Sequence, residues 1–98
     1  MTNRYEVVVR HQAQREVEVI YDYQHGIDPA RAERFYAAWK ACLEQLGKNP
    51  SRGKRKGPYG HEILHKLPFR VVFEVRETKV IVYQVRHTSR KPSKKFGP

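Results

Sequence analysis

The sequence predicts an α+β fold in the order βααβββ, with two helices packed on one face of a small antiparallel sheet. Three observations carry that reading. Apolar residues recur twice at helical spacing between residues 12 and 47, they alternate at strand spacing beyond residue 60, and a segment rich in Gly, Pro and cations separates the two regimes.

The first element is YEVVVR, residues 5 to 10, a Val-rich run that suits a strand. A helix near residues 12 to 24 follows, because Ala13, Val17, Ile20, Tyr21 and Gln24 fall on one face while Arg15, Glu16 and Glu18 stay in water. Gly26 is expected to break it. Asp28-Pro29 supplies an N-cap carboxylate and then a Pro at the first helical position, where its missing N–H costs nothing. Ala32, Phe35, Tyr36, Trp39, Leu43 and Leu46 continue at helical spacing up to Gly47, which is expected to close this second helix in the left-handed conformation.

Residues 49 to 60, NPSRGKRKGPYG, hold three Gly, two Pro and four Lys or Arg, and they read as a loop. Three strand-like runs come next: HEILHKL, FRVVFEVR and KVIVYQVRH. Pro68 separates the first two, and Glu77-Thr78 can turn the second into the third, so the connections imply an antiparallel meander. In the middle run Phe69, Val71, Phe73 and Val75 alternate with Arg70, Val72, Glu74 and Arg76, giving one face to a core and the other to solvent or a target. A single domain over residues 1–92 is expected, with a basic tail at 93–98 that frays.

Twenty Lys plus Arg against ten Asp plus Glu leave a formal charge of +10, enough to attract a polyanion or an acidic protein. No apolar run approaches the roughly 20 residues that span a bilayer, and the opening lacks the apolar region of a signal peptide, so a cytoplasmic protein with no membrane partner is expected. The only cysteine, Cys42, cannot make an internal disulfide. It reads as a packed thiol beside Trp39, Leu43 and Leu46, with a reactive nucleophile as the alternative.

The cations fall in three groups: Arg52, Lys54, Arg55 and Lys56 in the loop, Lys66 and Arg70 by the sheet, and Arg86, Arg90, Lys91, Lys94 and Lys95 near the end. Loop and tail could join the uncovered sheet face in one positive surface for phosphates, or simply be solvated. Arg70, alternating with core residues, suits a rigid phosphate clamp, though a structural salt bridge to Glu62 or Glu74 explains the same residue and is the reading that pattern alone favours. His61 and His65 sit four residues apart, about 13 Å in a strand, too far for one ion, so neither a metal nor another cofactor is implied. His87 beside Arg86 and Arg90 could move a proton near neutral pH, or be structural. Metal-free RNA cleavage needs a proton acceptor, a proton donor and cations around the phosphate; His87, His61, Tyr59, Lys66, Arg70 and Arg90 form such a set. Tyr59 and Phe96, in segments expected to be flexible, could stack on bases, whereas Phe69 has the strand phase of a core residue.

Over residues 5 to 92 the chain resembles the ParE/RelE superfamily of toxins. Four segments carry the resemblance: YEVVVRHQAQREVEVIYDY, ARAERFYAAWKACLEQLGKNP, HKLPFRVVFEV with its Arg after an aromatic residue, and VYQVRHTSRKP. The resemblance implies the toxin of a type II toxin–antitoxin system, neutralised by an acidic antitoxin in a hetero-oligomer. RelE-like members cut mRNA on the ribosome with basic residues. Arg70 matches one such position, while Thr88 or Ser89 stands where a second catalytic Arg is expected, with Arg90 as its substitute. ParE-like members inhibit DNA gyrase, and the ending HTSRKP is more similar to theirs, with Lys91 where an acidic residue is common. Gyrase inhibition is therefore the leading expectation, a ribosome-dependent endoribonuclease using Arg70, His87, Arg90 and Lys66 the second, and a non-toxic nucleic-acid-binding module the third. Target contacts are expected from Arg52, Lys54, Arg55, Lys56, Tyr59, His61, Arg86 and Lys91.

Overall fold

A computed structural model describes residues 4–50 and 58–88, together with the backbone of 54–56. Arg52, Arg90, Lys91, Lys94, Lys95 and Phe96, and the expected tail at 93–98, lie outside the described residues. The elements are β1 (Glu6–Val9), α1 (His11–Ile27), α2 (Pro29–Lys48), β2 (Lys54–Lys56), β3 (Tyr59–Ile63), β4 (Phe69–Arg76) and β5 (Lys79–His87). The strands form one sheet in the order β1-β5-β4-β3-β2, and the expected α+β architecture of two helices against one sheet face is present.

The sheet is mixed rather than wholly antiparallel. β1 lies parallel to β5, with Val7 opposite Val80 and Val9 opposite Val82. Parallel neighbours need a long connection, and the chain from α1 through β4 provides one; the alternation in YEVVVR is the same for either direction, so it could not report this. The segment read as a loop contributes β2, whose Lys54, Arg55 and Lys56 stand opposite His61, Gly60 and Tyr59. Tyr59 and Gly60 consequently belong to a strand.

Both helix ends differ from expectation. α1 passes through Gly26, beside which an added Cβ would meet nothing within 4 Å, and stops at Asp28, whose extended backbone (φ −163°, ψ 118°) separates the helices. One Gly costs a helix only about 1 kcal/mol, less than the packing of a whole apolar face returns. Asp28 caps α2 as expected, its side chain accepting a hydrogen bond from the Ala30 N–H at 3.1 Å, with Pro29 at the first position. Gly47 does not close α2. It is buried inside the last turn, where the chain crosses: the Tyr5 N–H donates to the Gly47 carbonyl at 2.8 Å, and Val7 Cγ2 lies 3.4 Å from where a Cβ would stand.

Ala13 and Val17 of α1, Phe35, Trp39, Cys42 and Leu46 of α2, and Phe69, Val71, Phe73, Val80, Val82 and Val85 of the sheet form the core. Phe35 meets Phe69 edge to face at 5.1 Å, joining α2 to β4. Between β4 and β5 the register shifts: Val72 opposes Gln84, but Phe73 opposes Val82, so Tyr83 is an extra residue in a bulge.

Candidate functional site

Residues directly opposed in an antiparallel ladder point to the same side of the sheet. The face away from the helices can therefore be read as three cross-strand rows. Tyr59 and Glu74 with Ile81 form the first, His61, Val72 and Gln84 the second, and Ile63, Arg70 and Arg86 the third.

The first row is locked. Tyr83, displaced by the bulge, donates its hydroxyl to Glu74 Oε1 at 2.7 Å, and Arg76 Nε donates to the same oxygen at 3.1 Å. The Tyr83 hydrogen bond chiefly, against an opposing effect of burial and with help from Arg76, holds the Glu74 carboxyl below its ordinary range. The same bond raises the Tyr83 phenol. Tyr59 packs edge to face on Tyr83 at 5.8 Å, and the Arg10 guanidinium lies 6.0 Å from the Tyr83 ring centroid. Tyr59 is thus held in a strand against another ring, not in the flexible segment expected of a base-stacking residue.

The second row corrects the expectation of an open face. His61, Val72 and Gln84 are only 8%, 3% and 5% exposed, so the centre of the face is closed. His61 is a buried residue of β3 rather than a surface contact.

The third row is different, since it sets two arginines directly opposite each other at partly exposed positions. Among the described residues neither Arg70 nor Arg86 has a carboxylate within 4.0 Å. Glu62, opposite Val71, faces the helices, and Glu74 is taken by Tyr83 and Arg76. The salt-bridge explanation of Arg70 does not hold within the described chain. Lys66 is exposed in the turn that closes this end of the sheet, with a positive φ of 60°.

His87 is on the other side. It opposes Phe69, a core residue, and the two rings meet edge to face at 5.4 Å. The register therefore puts Arg70 opposite Arg86 on one face of the sheet and turns His87 toward the other, while Arg86 and His87 both border the groove beside α1. Cys42 faces the core, and burial, with a smaller contribution from Glu62, pushes its thiol up to about 12, as suits a packed thiol. Among the described residues no group of three or more His, Cys, Asp or Glu could hold a metal, and no helix is long and apolar enough to cross a membrane.

A second candidate surface was not foreseen. A groove of about 800 Å³ runs between α1 and the β5 edge, with Val19, Ile20, Tyr23 and Phe69 as apolar lining and Arg15 and His87 among its polar residues. Val19 and Tyr23 are 68% and 69% exposed. The signal was present in the sequence: Val19, Tyr23 and Ile27 repeat every four residues on the side of α1 that the main apolar face leaves to water.

The family described as the ParE toxin of the type II toxin–antitoxin system parDE matches this chain over residues 7–92. No curated protein matches it significantly. Among solved structures, the chromosomal ParDE toxin–antitoxin system from P. aeruginosa is similar with a TM-score of 0.76 at 14% identity, covering 89% of this chain and 99% of that one. The toxin–antitoxin complex RelBE2 from Mycobacterium tuberculosis is similar with a TM-score of 0.58 at 20% identity, covering 86% and 98%. At these identities the structural likeness shows a shared fold.

Proposed function

Because the chain belongs to the ParE toxin family of type II toxin–antitoxin systems, we propose that it acts as ParE-like toxins do, binding DNA gyrase and arresting replication until a cognate acidic antitoxin removes it. The observation that carries this reading is the family match across residues 7–92. The turning of His87 away from the face that carries Arg70 favours binding over catalysis, since RelE-like cleavage would need a proton carrier beside the clamped phosphate.

The sheet face with Arg70 and Arg86 is the surface offered to the target. The groove between α1 and β5 is the seat assigned to the antitoxin. Its exposed Val19 and Tyr23 would take the apolar side of an amphipathic segment, while Arg15 and the +10 charge of the whole chain would favour an acidic one. β1 ends at Val9, opposite Val82, so the adjoining edge of β5 beyond Val82 has no strand partner among the described residues.

One paired assay tests the reading. Purified protein is added to gyrase with relaxed plasmid, and separately to translating ribosomes with mRNA. Blocked supercoiling with intact message is the expected result; new message ends with unimpaired supercoiling would replace gyrase by the ribosome and make the chain a metal-independent endoribonuclease.

A further inference from the structure

We infer that the groove between α1 and β5 ends in a carboxylate pocket formed by Arg31 and Arg34 of α2, and that its occupant is an aspartate or glutamate side chain of the peptide segment seated in the groove. The groove follows α1 from His11 to Gln24, about 20 Å of helix at roughly 1.5 Å per residue. At the Gln24 end a smaller cavity of about 100 Å³ adjoins it, and the two share Gln24, Phe69 and His87. Arg31 and Arg34 line this smaller cavity, and no Asp or Glu does. The acids nearest in sequence are engaged elsewhere: Asp28 accepts from the Ala30 N–H, and Glu33 accepts from the Tyr21 hydroxyl. Among the described residues neither arginine has a carboxylate within 4.0 Å.

The two cations lie three residues apart, on adjacent turns of one side of α2, where like charges repel. An anion between them relieves that repulsion. The cavity selects which anion. About 100 Å³ admits a group of only a few heavy atoms, and Phe35, Leu67 and Pro68 give its wall an apolar part suited to methylenes. A guanidinium fork matches the two oxygens of a carboxylate. An acidic side chain carries that carboxylate on an apolar stem. A peptide running along the groove delivers it while laying its apolar side chains on Val19 and Tyr23, which are 68% and 69% exposed. The +10 charge of the chain draws the same kind of ligand. Assigning the carboxylate to a peptide rests on the reading of the groove as the antitoxin seat. The pocket's preference for a carboxylate does not.

The test is an NMR titration of the full chain, following arginine Nε–Hε signals as sodium propionate is added at constant ionic strength, with propionamide, sodium phosphate and sodium chloride as parallel titrants. The Arg31 and Arg34 signals are expected to move together along one saturation curve with propionate, and far less with the others. Arg34→Gln should weaken propionate binding at Arg31 about fivefold, and Arg34→Lys, which keeps the charge and loses the fork, should fall between. Lys40→Gln, further along α2, should change it less than about twofold. Octanoate should bind about tenfold tighter than propionate and shift the Tyr23 ring signals, because its added methylenes reach into the groove. Unmoved signals, equal response to phosphate, chloride or propionamide, an Arg31 curve indifferent to both Arg34 variants, or octanoate no tighter than propionate would overturn the pocket. The peptide assignment is read with a capped helical peptide of about twelve residues, long enough to span the groove, apolar along one side and carrying Glu at both ends, against a twin with Gln at both ends. The Glu peptide should bind about fivefold tighter, and Arg34→Gln should remove most of that preference. Equal binding of the two peptides, or a preference untouched by Arg34→Gln, would overturn the peptide assignment. Binding of neither would overturn it together with the antitoxin seat and leave the propionate result standing, so the two failures are told apart.

Discussion

The Glu16 carboxylate accepts a hydrogen bond from the backbone N–H of Val85 at 2.8 Å, across 69 residues of sequence. β1 pairs with β5 only as far as Val82, with Arg10 donating to the Val82 carbonyl, and from there the β5 edge lacks a neighbouring strand. A side chain of α1 thus supplies the acceptor that a longer β1 would have offered. Glu16→Ala is expected to cost about 1–2 kcal/mol, in the range for hydrogen bonds to charged groups, and Glu16→Gln to recover much of it. Urea unfolding measures both, and an unchanged midpoint for Glu16→Ala would mean that water replaces the carboxylate at no cost.

Gly60 sits opposite Phe73, and a Cβ there would stand 2.3 Å from the Phe73 Cζ. The ring lies over the glycine in place of a side chain. Gly60→Ala should therefore destabilise the protein by about 1–3 kcal/mol through overpacking. Pairing it with Phe73→Leu, which removes the offending ring atoms, should give a double variant more stable than the sum of the two losses implies.

Gly26 presents the opposite case: it lies inside α1, exposed, with open space around it. Gly26→Ala is expected to stabilise by about 0.5–1 kcal/mol, since Ala is the better helix former and narrows the unfolded ensemble. A thermal melt should show Tm rising by a few degrees; a fall would mean that the helix does not run through this position in solution.

Glu74 sets a pH dependence whose sign is determined. Its folded-state pKa lies below the ordinary 4.5 because Tyr83 donates to it. The resulting stabilisation is fully present above the unfolded-state value and is lost as pH falls through the lower folded-state value. Tyr83→Phe removes the chief cause. The stability gap between wild type and this variant should be constant between about pH 6 and about pH 9 and shrink below about pH 4.5. A gap independent of pH would detach it from the Glu74 carboxylate.

The Cys42 thiol, pushed up to about 12 by burial, should be nearly inert in the native protein. At pH 8 it carries on the order of a thousandfold less thiolate than an exposed cysteine. Iodoacetamide labelling followed by mass spectrometry should proceed at that reduced rate until denaturant is added, and native labelling at the rate of free cysteine would place Cys42 on the surface.

Much of this architecture was legible residue by residue. The helical spacing from Ala32 to Leu46, the Asp28-Pro29 start, the Glu77-Thr78 turn and the strand phase that put Phe69, Val71 and Phe73 in the core are local properties, set by backbone geometry and by which side chains avoid water. The helix ends were less so. Gly26 and Gly47 carry a preference that packing overrode, and Gly60 reads as a loop glycine until Phe73 is placed opposite it.

From the sequence alone come the order of elements, the apolar faces and the family resemblance, because periodicity and motif order survive without coordinates. The tertiary structure alone decided which cations share a face. Without the extra residue at Tyr83, strict alternation from Val80 and Val82 would turn Arg86 toward the helices and His87 toward Arg70. The bulge reverses that, since one inserted residue exchanges the two sides of a strand for everything beyond it. It unites Arg86 with Arg70 and sends His87 to Phe69.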